Sequence, residues 1–134
     1  VIRKKRFLLA LSLVLLCLPR EATLGMALPF FKIGVASWYS ESDPGIHFTT
    51  ANGEIFDDSR LTCASWDFPF QARLRVTNLT NGLSVVCRLN DRGPVRRLNR
   101  LIDLTKTAFQ EIAPLRYGLI HVKVEIVPTD QEVP

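Results

Sequence analysis

Residues 87–105 read CRLNDRGPVRRLNRLIDLT, and two aspartates in this stretch have the means to do chemistry. Asp91 ends a strand-like run and is followed by Arg92-Gly93-Pro94; Asp103 lies inside an apolar run. A carboxyl at a strand end can donate and accept protons when its surroundings bring its pKa near neutrality. Asp before Arg-Gly-Pro is also ordinary turn chemistry, so the residues alone leave both readings open. Glu54, in Thr50-Ala51-Asn52-Gly53-Glu54, is a third carboxylate, either on a groove loop or simply in solvent. Arg88, Arg92, Arg96, Arg97 and Arg100 crowd Asp91 in sequence. They could line an anionic or sugar-binding groove, or form a solvated loop. Facing Asp91, they would hold it ionised, which suits a base or binding carboxylate better than an acid.

Other groups are less telling. Cys63 and Cys87 without a CxxC pair, and two separated histidines, do not make a zinc site, and no cofactor is implied. His47 reads as a surface-loop residue, although its place just before Thr50 could bring it into a groove. His121, on the polar face of a strand, reads as structural. Trp38, Tyr39 and Trp66 could stack on sugar faces. Trp38 reads better as packing, and Trp66, beside Asp67 and Phe68, as a sugar platform.

The elements that would position these groups are mostly strands. Ala72, Leu74 and Val76 alternate with polar residues, as do Leu83, Val85, Cys87 and Leu89, and Ile120, Val122, Val124 and Ile126. Asn81-Gly82 between the first two predicts a tight hairpin. Ile33 to Tyr39 and Leu61 to Ala64 are further strand candidates. One helix is clear: Thr105 caps it, Lys106 to Ala113 forms it and Pro114 stops it. Short strands with one helix and no repeat predict a small, all-β barrel. Asn78-Leu79-Thr80 matches a glycosylation sequon and is read as turn chemistry.

The N-terminus reads differently. Arg3-Lys4-Lys5-Arg6 precedes an apolar run from Phe7 to Leu18, shorter than the roughly 20 residues of a membrane span. This pattern is that of a secretory signal peptide over residues 1–27, ending at Gly25-Met26-Ala27, with one domain over 28–134. Leu16 before Cys17 is too large for a bacterial lipid-attachment site, so no lipid anchor is expected there, and no transmembrane span after cleavage. The sequence pI of about 9.3 is misleading. Five of the 17 basic and one of the 13 acidic residues lie in the first 27, so the remainder is neutral and attraction to nucleic acid is not supported. In an oxidising periplasm Cys63 and Cys87 are expected to be bridged rather than free.

Several motifs then fall in order: Gly34-Val35-Ala36-Ser37-Trp38-Tyr39, Thr50 to Phe56, Leu61-Thr62-Cys63-Ala64, Pro69-Phe70, Leu74 to Leu79, Asn90-Asp91-Arg92-Gly93-Pro94 and Ile102-Asp103-Leu104-Thr105. From about Ile33 to Val127 the chain resembles the rare lipoprotein A (RlpA) family. The resemblance implies a six-stranded double-psi β-barrel like those of expansins and barwin-like proteins. It also implies a periplasmic or secreted lytic transglycosylase, acting on peptidoglycan glycan strands as a monomer without cofactor. It casts Asp91 as the catalytic carboxylate and Glu54 as a second carboxylate or substrate contact. Tyr39, Ser65, Trp66, Arg92 and Asp103 become candidate substrate contacts, although Asp103, so near the helix cap, also reads as ordering the adjacent arginines or the helix start. Ser65 departs from the pattern, since it occupies the position of the family's histidine and cannot titrate near pH 7. That departure supports an alternative: a glycan-binding, expansin-like wall protein that cuts no bond. Longer members carry a C-terminal glycan-binding repeat, which this chain is expected to lack.

Overall fold

The structure is a computed structural model that describes residues 30–128; the leader expected over 1–27, Cys17 and the last six residues lie outside the described residues. Six strands close into one barrel: β1 (Phe31–Tyr39), β2 (Thr62–Ala64), β3 (Arg73–Asn78), β4 (Ser84–Asp91), β5 (Ile102–Thr105) and β6 (Ile120–Ile126). Their order around the barrel is β1-β5-β2-β4-β3-β6. β1 runs parallel to β5 and β2 parallel to β4, and the other neighbours are antiparallel. No described helix is long and apolar enough to cross a membrane.

The period-two faces read from the sequence form the core. Leu74 and Val76 of β3, Cys87 and Leu89 of β4, and Val122 and Val124 of β6 are all buried. Each large apolar side chain taken from water contributes roughly 1.5–3 kcal/mol. On the outer face, Arg75 and Lys123 both pair with Glu125. Cys63 and Cys87 stand in the core as free thiols, with sulfurs 2.8 Å apart. Burial, then the neighbouring Cys87, pushes the Cys63 thiol well up.

Three elements differ from the sequence reading. β5 was not foreseen as a strand; it buries Ile102 and Leu104 and sends Asp103 to the other side. The 78–83 hairpin is wider than a two-residue turn. Asn78 N–H bonds the Leu83 carbonyl at 2.8 Å, and only Gly82 in the loop between has positive φ. The buried Asn78 donates its side-chain amide to the Ile112 carbonyl, as does Asn81. The sequon asparagine is therefore a core tie between the hairpin and the segment after the helix. α1 (Lys106–Gln110) starts where expected, with Thr105 Oγ1 accepting the Ala108 N–H at 3.4 Å, but it is five residues long.

At Gly34 the barrel wall is tight. A Cβ there would lie 2.6 Å from Leu101 Cβ, and Leu101 N–H bonds the Val35 carbonyl at 2.8 Å.

Candidate active site

The short strand β2 lies between β4 and β5, and its last residue organises the site. Ala64 is the register partner of Asp91 on one side and of Asp103 on the other. Residues directly opposite each other share a face, and with strands about 4.8 Å apart the two aspartate Cα atoms are roughly 10 Å apart. A register shift helps set this pairing: Cys63 faces Leu89, yet Ala64 faces Asp91, so Asn90 is passed over. Such an irregularity re-aims side chains; here it gives Asp91 to the Ala64 face and sends the Asn90 amide to Glu54, 3.1 Å away.

Asp91, Asp103, Ala64, Tyr39, His47 and Pro94 line one cleft of about 330 Å³. Asp91 both holds a turn and faces this cleft. Its Oδ1 accepts the N–H groups of Ala51 at 2.9 Å and Arg92 at 2.8 Å, while Oδ2 has no partner among the described residues. Asp103 accepts the hydroxyl of Ser37, its register partner on β1. Burial pushes the Asp103 carboxyl above its ordinary value; the Ser37 bond and Arg100 oppose this, while Asp43 and Asp91 add to it. Asp103 thus lies in the cleft rather than at the helix start, which Thr105 caps.

Tyr39 is 7% exposed, and its ring stacks on Phe56 with centroids 4.7 Å apart. Its ring face is already occupied, which corrects the expectation that it stacks on sugars. Its buried hydroxyl has no hydrogen-bond partner among the described residues. Burial and then the Asp91 charge push that phenol far above its ordinary value, so it is neutral. Burying an unpaired hydroxyl costs about 1–3 kcal/mol.

Glu54 is placed elsewhere. Its carboxylate takes a two-pronged ion pair from Arg88, at 2.6 and 2.8 Å, and the amides of Asn52 and Asn90. These bonds, the Arg88 one foremost, hold it far below the ordinary carboxylate range. It lines a separate open cleft with Arg60, Thr62, Arg88 and Asn90. Such a carboxylate cannot donate a proton near neutral pH; it fixes the loop whose Ala51 N–H reaches Asp91.

The arginine cluster does not converge on Asp91. Among the described residues no arginine forms an ion pair with it. Arg88 goes to Glu54. Arg92 donates to the carbonyls of Ser65 and Phe68, both at 2.7 Å, and lies over the Phe70 ring at 3.8 Å. Arg96 covers Trp66 at 4.5 Å. The expectation that the cluster holds Asp91 ionised is therefore corrected for Arg88, Arg92 and Arg96, which are engaged by Glu54, carbonyls and rings.

Ser65 is also corrected as a substrate contact. It is fully buried, donates to the Leu101 carbonyl at 2.8 Å and accepts the Asp67 N–H at 3.2 Å. Trp66 stays 43% exposed, with its indole N–H bound to the Pro94 carbonyl at 2.8 Å, so it secures the loop after Asp91 as well as offering a ring. His47, read as a surface-loop residue, is exposed and lines the Asp91 cleft. Sequence reasoning missed Ser37 and Ala64. Their signal was position: both sit within motifs that also hold Tyr39 and Cys63. No cluster of potential metal ligands occurs among the described residues.

A closed six-stranded barrel with two parallel strand pairs and one short helix defines the class as double-psi β-barrel. The family model described as lytic transglycolase matches residues 32–124, and the chain belongs to that family. Its relatives include the endolytic peptidoglycan transglycosylase RlpA of Rickettsia prowazekii, 38% identical over 77% of this chain and 32% of the relative. The RlpA of Neisseria meningitidis serogroup A is 40% identical over 78% of this chain and 43% of the relative. The probable RlpA of Synechocystis is 47% identical over 72% and 29%. The chain thus spans less than half the length of these relatives. Among solved structures, the Streptomyces papain inhibitor shares the fold with a TM-score of 0.60 and 21% identity over 74% of this chain and 96% of that one. The apo expansin of Clavibacter michiganensis has a TM-score of 0.59 and 19% identity over 78% and 54%.

Proposed function

We propose that this chain is an exported lytic transglycosylase domain that cuts peptidoglycan between N-acetylmuramic acid and N-acetylglucosamine. The observation that carries the reading is the pair Asp91 and Asp103 on either side of Ala64 in one cleft. Their surroundings differ: Asp103 is desolvated and Asp91 is held by two backbone N–H groups. Unlike environments are how two carboxyls divide acid from base. Asp103 gives its proton to the glycosidic oxygen as the bond from muramic C1 breaks. Asp91 takes the proton of the C6 hydroxyl as that oxygen bonds C1, leaving a 1,6-anhydro end. No water is consumed, and proton exchange with solvent resets both carboxyls. The names of the relatives and the family match support this chemistry. Export rests on the basic and apolar leader pattern in the sequence.

A second reading, glycan binding without cleavage, is favoured by one observation: Ser65, where the family resemblance expects a histidine, is fully buried and bonded to backbone groups. One experiment separates the two. Wild-type protein, Asp91→Asn and Asp103→Asn are incubated with peptide-free glycan strands, and 1,6-anhydromuramic ends are counted by mass spectrometry. The transglycosylase reading expects ends from the wild type and a loss of about 10²–10⁴-fold in each variant. Retention of glycan with no ends from the wild type establishes the binding reading instead.

A further inference from the structure

Tyr39 has a group that the proposed proton transfers leave unused. Its ring stacks on Phe56, and among the described residues no group bonds its buried hydroxyl. Unpaired buried hydroxyls are rare in folded proteins and call for an explanation. Asp91 has the complementary deficit: among the described residues both of its bonds fall on Oδ1 and none on Oδ2. One residue has a donor without an acceptor, and the other an acceptor without a donor. Both line the same cleft, and Asp91 is the carboxylate whose charge acts most on Tyr39.

We propose that Tyr39 is a positioning residue: when a glycan fills the cleft, its hydroxyl donates to Oδ2 of Asp91 and fixes that carboxylate as the base. In the empty cleft Oδ2 can be hydrated. A sugar ring that displaces water removes that hydration, and the nearby phenol then becomes the available donor. The titratable groups whose charge acts on Tyr39 are Asp91 from β4, Asp103 from β5 and the thiols Cys63 from β2 and Cys87 from β4. His47 and Arg92 share the cleft. Of the two carboxyls Asp91 acts more strongly on Tyr39, Asp103 is the one proposed above to carry a proton, and burial holds the Cys63 thiol protonated.

The inference rests on the cleft being a glycan site, and the test separates the two. Tyr39→Phe keeps the ring and its stacking and removes only the hydroxyl, so it should fold, with a thermal midpoint equal to or above that of the wild type. The Asp91 carboxyl is titrated by carbon NMR in both proteins, with and without peptide-free glycan strands. A hydrogen bond to the ionised form lowers a pKa. With glycan bound, Asp91 should therefore titrate higher in Tyr39→Phe than in the wild type; without glycan the two should agree. In cleavage assays kcat should fall about tenfold with KM within twofold, and the acid limb of the rate profile should move to higher pH. Glycan that perturbs the cleft resonances while Asp91 titrates identically in both proteins overturns the positioning role alone. Glycan that leaves those resonances untouched overturns the glycan site, and this role with it. Should the variant not fold, 3-fluorotyrosine at position 39 of the wild type reports the same bond, and a fluorine signal unmoved by glycan overturns it.

Discussion

Asp91 and Asp103 stand two strands apart with only Ala64 between them. The interval is made by backbone pairing rather than by contact between the two carboxyls. It depends on the register shift that passes over Asn90 and on a residue at 64 small enough to leave the floor open. Both conditions are features of β2, the shortest strand of the barrel.

Asp103 should leave a signature in stability. Burial raises its carboxyl above the unfolded value, so ionising it in the folded protein opposes folding. That penalty is absent below the unfolded pKa, grows as pH rises, and is complete above the folded pKa. Asp103→Asn should therefore gain on the wild type in urea midpoint as pH rises above about 4, the ordinary carboxylate range. Activity should be lost at every pH. Urea titrations from pH 4 to 8 check the first, and anhydro-end release the second.

The Glu54–Arg88 pair should behave in the opposite sense. Glu54 is held far below its ordinary value, so its contribution is present above the unfolded pKa and is lost as pH falls below it. Both side chains are about one-third exposed, so Glu54→Gln should cost about 1 kcal/mol or less at pH 7. Cleavage should fall more than stability does, by roughly ten- to a hundredfold, because the loop that presents Ala51 N–H to Asp91 loosens. A loss as large as that of Asp91→Asn in the same assay would return Glu54 to the chemistry.

Placing at position 65 the histidine that the resemblance expects should not raise the rate. Ser65 is fully enclosed and bonded at both ends, and overpacking such a site costs typically about 1–3 kcal/mol. Ser65→His should show a lowered thermal midpoint and no gain in rate. His47, exposed at the rim of the cleft, is the histidine placed to help. His47→Ala should leave the thermal midpoint unchanged and reduce release of anhydro ends, measured at pH 6 and 8.

Cys63 and Cys87 should be joined in protein recovered from an oxidising compartment. They are buried side by side across β2 and β4. No thiol should alkylate in the unfolded protein before reduction, and two should do so afterwards. Reduction should lower stability by about 2–4 kcal/mol, read as a shift in denaturant midpoint. Alkylation of both thiols without reductant would show that they remain free.

Much of the barrel was legible because its long strands alternate cleanly: β3, β4 and β6 each supply several inward apolar residues. β5 was hidden because Ile102 and Leu104 are too few to display a period, and Asp103 looked like an interruption rather than the polar face of a strand. The site was legible in its residue types and not in their partners. Arg88, Arg92 and Arg96, near Asp91 in sequence, turn to Glu54, to carbonyls and to aromatic rings, and the irregularity at Asn90 re-aims the side chains around it. Ser65 sits within a motif, yet β2 is central and its end is covered, so motif membership did not make it a contact. Tyr39 ends β1 and Phe56 lies in the long segment before β2, and it is the fold of that segment back over β1 that stacks them.

Gly34 gives the fold a gauge block. It lets β1 lie against Leu101, two residues ahead of Asp103, at a separation no side chain would allow. Leu101 is clasped from the other side by Ser65, whose chain neighbour is Ala64. A methyl group at position 34 would thus press on the support that spaces the two aspartates, from a point outside their cleft. The tolerance of the interval between the two carboxyls is set on the barrel's flank, where evolution or an engineer could widen it without touching a residue that lines their cleft.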